Sequence, residues 1–255
     1  MVVGIDTFAA HFNDYRDRYV LIGGAATWLV LDEAGITPRA TVDLDIVLCL
    51  EALDREFGAA FWEFIEAGGY EIREKSSGGK TFYRFQRPSQ SGYPFMLELF
   101  SRQPDLLILE GESHLTPIPI GEDISSLSAI LLEEGYYDFL HQHKRDIEGI
   151  PVVTETGLIP LKARAWLDLT RRKEAGEDVD SRNIRKHKTD VLRLYQVLSP
   201  DQRISLPQTI REDMLIFLNK IELELTIHLL KNLGIRGVSG ADVVETIKTV
   251  YQITE

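Results

Sequence analysis

The stretch that decides the predicted fold is YVLIGGAATWLVLDEAGITPRATVDLDIV, which spans Tyr19 to Val47. It begins with an apolar run that indicates a β-strand and stops at Gly23-Gly24. An Ala- and Leu-rich segment with helical character runs from Ala25 to about Ala34, and a Gly/Pro break follows. From Arg39 to Val47 polar and apolar residues alternate, as in a half-buried strand. The stretch therefore predicts a strand, a glycine turn, a helix and a second strand.

Two acidic residues, Asp43 and Asp45, lie on the second of these strands. Successive side chains of a strand point to opposite faces, so residues two apart project from the same face. Two neighbouring carboxylates repel each other, and a divalent cation held between them is the commonest reason for such a pair. The spacing therefore predicts a metal site at Asp43 and Asp45.

The glycine pair Gly23-Gly24 lies between the first strand and its helix. Glycines at this place let backbone N–H groups approach a phosphate at the positive end of a helix. A tight strand–helix turn with no ligand is the simpler interpretation. The pattern is neither a Walker loop nor the dinucleotide fingerprint.

A third acidic residue, Glu98, is the only charge in the apolar run from Pro94 to Phe100. An isolated buried carboxylate is costly unless it is paired or binds a metal, and a two-metal phosphoryl-transfer site usually needs a third carboxylate on a neighbouring strand. Glu98 is therefore a candidate metal ligand. A glutamate on an edge strand that faces water is the alternative.

The basic residues of interest lie in the second half of the chain. Lys162 precedes Trp166 by one helical turn, so it begins on or beside an apolar helix face and could reach a triphosphate; a lysine whose stem covers that face is the alternative. The run from Arg182 to Arg193 is the densest basic segment and contains one acid, Asp190. A solvated helix face and a phosphate-binding surface both fit this run.

Composition indicates an ordinary soluble globular protein, with 255 residues, 44% hydrophobic and 27% charged. The net charge of −12 argues against broad electrostatic binding of nucleic acid, although residues 162–188 carry a local excess of positive charge. No apolar run approaches a membrane span, and no signal peptide is recognisable. The single cysteine, Cys49, excludes an internal disulfide and fits a reducing cytoplasm.

The pattern of elements predicts an α+β fold. Residues 1–120 are expected to form a mixed β-sheet with flanking helices, residues 121–155 a connecting segment, and residues 156–255 an all-helical domain. The helices expected in the last part are Ile159–Lys173, Ser181–Val197, Leu206–Leu218, Ile221–Leu233 and Ser239–Gln252, with Ser239 as an N-cap and Asp242 as its capping-box partner.

Gly23-Gly24 followed by Arg39-x-Thr41-x-Asp43-x-Asp45 resembles the nucleotidyltransferase domain of the DNA polymerase β superfamily. More narrowly, the chain resembles the AbiEii-type toxin nucleotidyltransferases of bacterial toxin–antitoxin systems. In that family a later carboxylate, and a lysine and an aspartate in a helical C-terminal half, complete the site. Glu98, Lys162 in IPLKARAWLDL and Asp190 in HKTDVLRL occupy the matching places here. The resemblance spans most of the chain, but its specific motif lies within residues 22–47.

The resemblance implies transfer of a nucleoside monophosphate from an NTP to an acceptor hydroxyl, with Mg²⁺, or else Mn²⁺, as the cofactor. It assigns the metal ligands to Asp43, Asp45 and Glu98, with proton acceptance as a second role for Glu98. It assigns nucleotide binding to Gly23, Gly24, Arg39, Thr41 and Lys162. It adds Lys162 and Asp190 to the catalytic residues, Asp190 either orienting Lys162 or contacting the base or ribose.

The resemblance also implies tRNA as the acceptor and an antitoxin as a partner, with no membrane partner. The tRNA contact is predicted in the basic segment, at Arg182, Arg185, Lys186 and Lys188. Two other hypotheses remain open at this point. One is a nucleotidyltransferase that acts on a small molecule or on a protein hydroxyl. The other is a catalytically silent protein of the same fold that binds a nucleotide or a partner.

Overall fold

The computed structural model describes residues 2–49, 55–74, 80–101 and 134–253 of the chain. The end of the predicted sheet domain, residues 102–120, and the first part of the predicted connecting segment, residues 121–133, lie outside these ranges. Among the described helices, none combines the length and the apolarity needed to cross a lipid bilayer.

Seven strands of the described residues form one mixed sheet. They are β1 (Tyr19–Ile22), β2 (Asp43–Leu48), β3 (Glu71–Glu74), β4 (Lys80–Gln86), β5 (Met96–Phe100), β6 (Lys144–Ile147) and β7 (Ile150–Val153). Their order across the sheet is β3-β4-β5-β2-β1-β7-β6. β2 runs antiparallel to β1 and parallel to β5, and β7 runs parallel to β1. The acidic strand β2 therefore lies in the middle of the sheet, between β1 and β5.

Nine α-helices lie in the described ranges. They are α1 (Ile5–His11), α2 (Gly23–Glu33), α3 (Arg55–Gly68), α4 (Glu134–Gln142), α5 (Glu155–Glu174), α6 (Ser181–Tyr195), α7 (Gln208–Ile221), α8 (Ile227–Asn232) and α9 (Gly240–Val250). Short 3-10 helices add Asn13–Tyr15 and Glu222–Glu224. Helix α9 begins with the predicted capping box: the Ser239 side chain accepts from the backbone N–H of Asp242, and the Asp242 side chain accepts from the backbone N–H of Ser239.

The two faces of the sheet differ in chemistry. On one face Tyr19 of β1 contacts Phe8 of α1, and Phe85 of β4 contacts Phe61 of α3, so the helices α1 and α3 cover this face with aromatic side chains. These aromatic pairs bury a large apolar area and hold the helices in place. Because strand side chains alternate, the neighbour of Phe85, Arg84, projects from the opposite face. That opposite face carries the polar side chains.

The predicted fold class is confirmed: a mixed sheet with flanking helices is followed by a helical C-terminal half. Several boundaries differ from the prediction, and the helix expected over Ile221–Leu233 is instead the end of α7, a 3-10 helix and α8. Helix α2 begins at Gly23, two residues before Ala25, and β2 begins at Asp43, four residues after Arg39. The strands β6 and β7, within the segment predicted to connect two domains, pair with each other and join β1 at the sheet. The domain boundaries themselves remain a prediction.

Candidate functional site

A row of paired residues crosses four neighbouring strands on the polar face of the sheet. Strand register pairs Ile22 of β1 with Asp45 of β2, Asp45 with Glu98 of β5, and Glu98 with Arg84 of β4. Cross-strand partners share one face of a sheet and have neighbouring side chains. Asp43 lies two residues before Asp45 and so shares this face, and both are half-exposed while Leu44 between them is buried. The sheet therefore places three acidic residues and one arginine together.

Burial and the charge of Asp45 raise the affinity of Asp43 and Glu98 for protons. Burial, and then the charge of Asp45, raise the pKa of the Asp43 carboxyl above its ordinary value. Burial, followed by Asp45, also raises the pKa of Glu98, although Arg84 acts in the opposite direction. Such shifts occur where like charges are held close together with little water. A bound cation would relieve both effects.

Gly23 is the residue that allows Asp45 to lie against the start of helix α2. Its φ is +66°, in the left-handed region, and a β-carbon built on it would lie 1.7 Å from Oδ2 of Asp45. The next residue, Gly24, donates its backbone N–H to the same oxygen at 3.4 Å. The positive end of the helix therefore already faces a carboxylate. This close approach gives a second reason for the glycine pair, besides the predicted phosphate contact.

Thr41 and Arg39 lie beside the second glycine of the turn. A β-carbon built on Gly24 would lie 2.7 Å from Oγ1 of Thr41 and 3.7 Å from Nη2 of Arg39. The Nε atom of Arg39 is also 3.9 Å from Oδ1 of Asp190, on helix α6. The side chain of Arg39 thus lies between the glycine turn and the helical half of the chain, and it is 37% exposed. The structure places all residues of the first motif at one location.

Lys162 and Asp190 form a buried ion pair between helices α5 and α6. The Nζ atom of Lys162 donates to Oδ2 of Asp190 at 3.1 Å, and the two side chains are 4% and 2% exposed. Arg193, one turn along α6, lies 3.7 Å from the other carboxylate oxygen. Burial opposes ionisation of Asp190, but Lys162 and then Arg39 outweigh it and hold its pKa below the ordinary value. This ion pair agrees with the orienting role considered for Asp190, and that role stays a prediction.

Lys186 and His187 also lie at this site, and the sequence did not assign them to it. Burial, and then the charges of Lys162 and Arg39, lower the pKa of Lys186, whereas Asp45 raises it. Burial and the charges of Lys162 and Lys186 lower the pKa of His187 to about 3, so this imidazole is neutral at physiological pH. Its Nδ1 atom has no hydrogen-bond partner among the described residues. Lys186 supplies a half-buried positive charge near the acidic face.

The basic segment is therefore not one continuous surface. Lys186 belongs to the site, Lys188 forms an ion pair with Glu224, and Arg182 pairs with Asp180 at its own helix start. Arg185 is exposed on α6. The two lysines of the set face other parts of the protein, so the four residues do not form one shared surface. A tRNA contact through them stays a prediction.

The oxygen ligands present suit Mg²⁺ or Mn²⁺, which prefer carboxylates. Asp43 and Asp45 share a face and a half-exposed setting, and the glycine turn leaves room for the Asp45 carboxylate. Within the described ranges, however, no group of three His, Cys, Asp or Glu side chains is placed to hold a metal ion. Glu98 instead accepts a hydrogen bond from Nε of Arg84 and forms an ion pair with its Nη2. The role of Glu98 as a third ligand remains a prediction.

Comparison with known proteins gives little beyond this geometry. No protein-family model matches the chain, and no curated protein matches it significantly. Among solved structures, the chain is similar to an antigenic nucleotidyltransferase-like protein from Paracoccidioides brasiliensis. The two chains are 15% identical, the match covers 95% of this chain and 98% of that chain, and the TM-score is 0.47. The function must therefore be argued from the residues of the site.

Proposed function

We propose that this protein is a metal-dependent nucleotidyltransferase, which transfers a nucleoside monophosphate from an NTP to an acceptor hydroxyl. One observation carries the proposal: the acidic residues of one sheet face lie next to a glycine-opened helix start, to Arg39 and to Lys186 of the helical half. Phosphoryl transfer depends mostly on positioning and on charge stabilisation, and these are the two properties that this arrangement offers.

The acidic residues would bind the metal ion and accept the proton. Asp43 and Asp45 would hold a divalent cation, which neutralises charge on the phosphate oxygens when it is bound. The bond from the acceptor oxygen to the α-phosphorus forms as the bond to the pyrophosphate oxygen breaks. Glu98 would accept the hydroxyl proton, and the raised pKa of its carboxyl favours that acceptance.

The cations would bind the leaving pyrophosphate. Arg39 is partly exposed beside Gly24, and Lys186 is half-buried near Asp45. Lys162 is more deeply buried and bonded to Asp190, so it contributes positive potential and holds α5 against α6. Positive groups fixed in a poorly hydrated site stabilise charge that develops during the reaction more strongly than they would in water.

The test is incubation of the purified chain with each α-labelled NTP, Mg²⁺ and total tRNA. The resemblance to AbiEii-type toxins makes tRNA the first acceptor to examine, and label on tRNA would support a toxin-like role and justify a search for an antitoxin. Label on protein would instead indicate modification of the chain itself or of a partner. Label on a small molecule would favour the remaining acceptor class.

Asp45→Asn is the decisive variant, with Asp201→Asn as its matched control because Asp201 is an exposed aspartate in a loop. Loss of a metal-ligating carboxylate should lower the labelling rate roughly 100-fold or more, whereas the control should be unaffected. Equal labelling by Asp45→Asn and by the unaltered chain would refute the proposal.

A catalytically silent nucleotide-binding protein is the second candidate. The contact between Arg84 and Glu98 favours it, because that contact occupies the predicted third ligand. NTP binding without any labelled product, across all four NTPs and acceptors, would establish this candidate in place of the first.

A further inference from the structure

The strongest feature that the proposed mechanism does not use is Arg84. Its strand β4 pairs with β5 so that Arg84 lies directly opposite Glu98. Its Nε atom donates to Oε1 of that carboxylate, and Nη2 forms an ion pair with the same oxygen. Because the sheet fixes the strand register, this contact is part of the architecture and does not depend on a loop.

Arg84 and Asp45 lie on the two sides of Glu98. Asp45 is the register partner of Glu98 on β2, and Arg84 is its partner on β4. Neighbouring strands are about 4.8 Å apart, so a cation bound between Asp45 and Glu98 would have to share the Glu98 carboxylate with the guanidinium. The site thus contains a positive group at the place where a second metal ion would find its last ligand.

The contact is also poorly hydrated. The side chains of Arg84 and Glu98 are 30% and 14% exposed. Removing one partner from such a pair leaves the other charge in an unfavourable environment, so the contact resists exchange.

We propose that Arg84 is a positioning residue that takes the place of a second metal ion, so that the site binds a single divalent cation at Asp43 and Asp45. This inference rests on the proposed function. It gives Glu98 an arginine partner and predicts a one-metal site.

The test counts Mn²⁺ ions bound with the α,β-methylene analogue of each NTP in turn, by native mass spectrometry and by electron paramagnetic resonance. Two Mn²⁺ ions about 3.5–4 Å apart give a spin-coupled spectrum, and a single ion does not. The unaltered chain should bind one Mn²⁺ with an uncoupled spectrum. Arg84→Gln should admit a second ion and give the coupled spectrum, and Arg84→Lys, which keeps the charge, should bind one.

Arg87→Gln is the matched control, since Arg87 lies just beyond β4, is exposed and pairs with Glu71 at 3.6 Å. It should bind one ion. Two ions in the unaltered chain would overturn the inference, whether or not Arg84→Gln folds. One ion in both the unaltered chain and a folded Arg84→Gln, checked by thermal melting, would overturn it as well. Zero ions in the unaltered chain would instead refute the proposed metal-dependent function.

Discussion

Gly23→Ala is the substitution whose effect follows most directly from the coordinates. Gly23 has a φ of +66°, and a β-carbon there would lie 1.7 Å from Oδ2 and 2.6 Å from Cγ of Asp45. Both atoms belong to the carboxylate that is proposed to hold the metal. The Asp45 side chain must therefore move away from the start of α2, or the helix must move away from β2.

Two separate costs can be estimated. A left-handed backbone conformation costs a non-glycine residue about 1–2 kcal/mol. In a chain of this size each kcal/mol lowers the melting temperature by roughly 2–4 °C. The second cost is functional, because ordinary contacts begin near 3.4 Å and the carboxylate must shift by more than an ångström. A misplacement of that size can lower a reaction rate about 100-fold.

Gly35→Ala separates these two costs. Gly35 has a φ of +70°, but a β-carbon there would have no atom within 4 Å. Thermal melting should show a decrease of about 2–8 °C in both variants, since the backbone strain is the same. NTP labelling and Mn²⁺ binding should fall in Gly23→Ala alone. Equal activity of the two variants would refute the argument that Gly23 exists to make room for Asp45.

Three further predictions concern the helical half of the site. Lys186→Met should weaken NTP binding, measured by calorimetry, roughly 10- to 150-fold. This factor corresponds to the loss of about 1.5–3 kcal/mol, which is typical of a hydrogen bond to a charged group. Lys188→Met is the control and should leave the affinity unchanged, because Lys188 lies on the same helix but pairs with Glu224. Asp190→Asn should destabilise the fold by about 3–5 kcal/mol in urea unfolding, because it leaves Lys162 buried without its anion. Lys162→Met should destabilise the fold less, since Asp190 keeps Arg39 and Arg193 as neighbours. The pKa of His187 in the folded chain is about 3, below its ordinary value of 6.5. Between these two pH values the unfolded chain binds more protons, so the stability of the fold should decrease as the pH falls from 6.5 towards 3. His187→Leu should flatten this decrease in thermal melts between about pH 4 and 6.5.

The glycine turn and the acidic strand could be predicted because their signals are local. Alternation with period two places Asp43 and Asp45 on one face whatever the rest of the chain does. A glycine pair between an apolar run and a helical segment predicts a turn in the same way. The location of Gly23, Arg39 and Asp45 in the structure agrees with that local pattern.

Arg84 could not be assigned from the sequence because its role depends on register. A shift of one residue between β4 and β5 would turn Arg84 to the opposite face from Glu98 and place Phe85 on the polar face. The sequence between these strands does not set that register in a recognisable way. It is set by the aromatic face, where Phe85 contacts Phe61 of α3 and Trp62 beside it.

The basic residues of α6 do not share one face, because proximity in sequence is not proximity on a helix. An α-helix has 3.6 residues per turn, so residues four apart share a face and residues two apart do not. Lys186 and Asp190 therefore face α5 and the acidic strand together, while Lys188 turns away to Glu224. The helical period of the run was visible in the sequence, but which face packs against the sheet depends on tertiary contacts. If Lys186 binds the triphosphate, the helical half of the chain supplies positive charge to the reaction. Helix α6 is then part of the active site, and its basic residues cannot all bind RNA through one face.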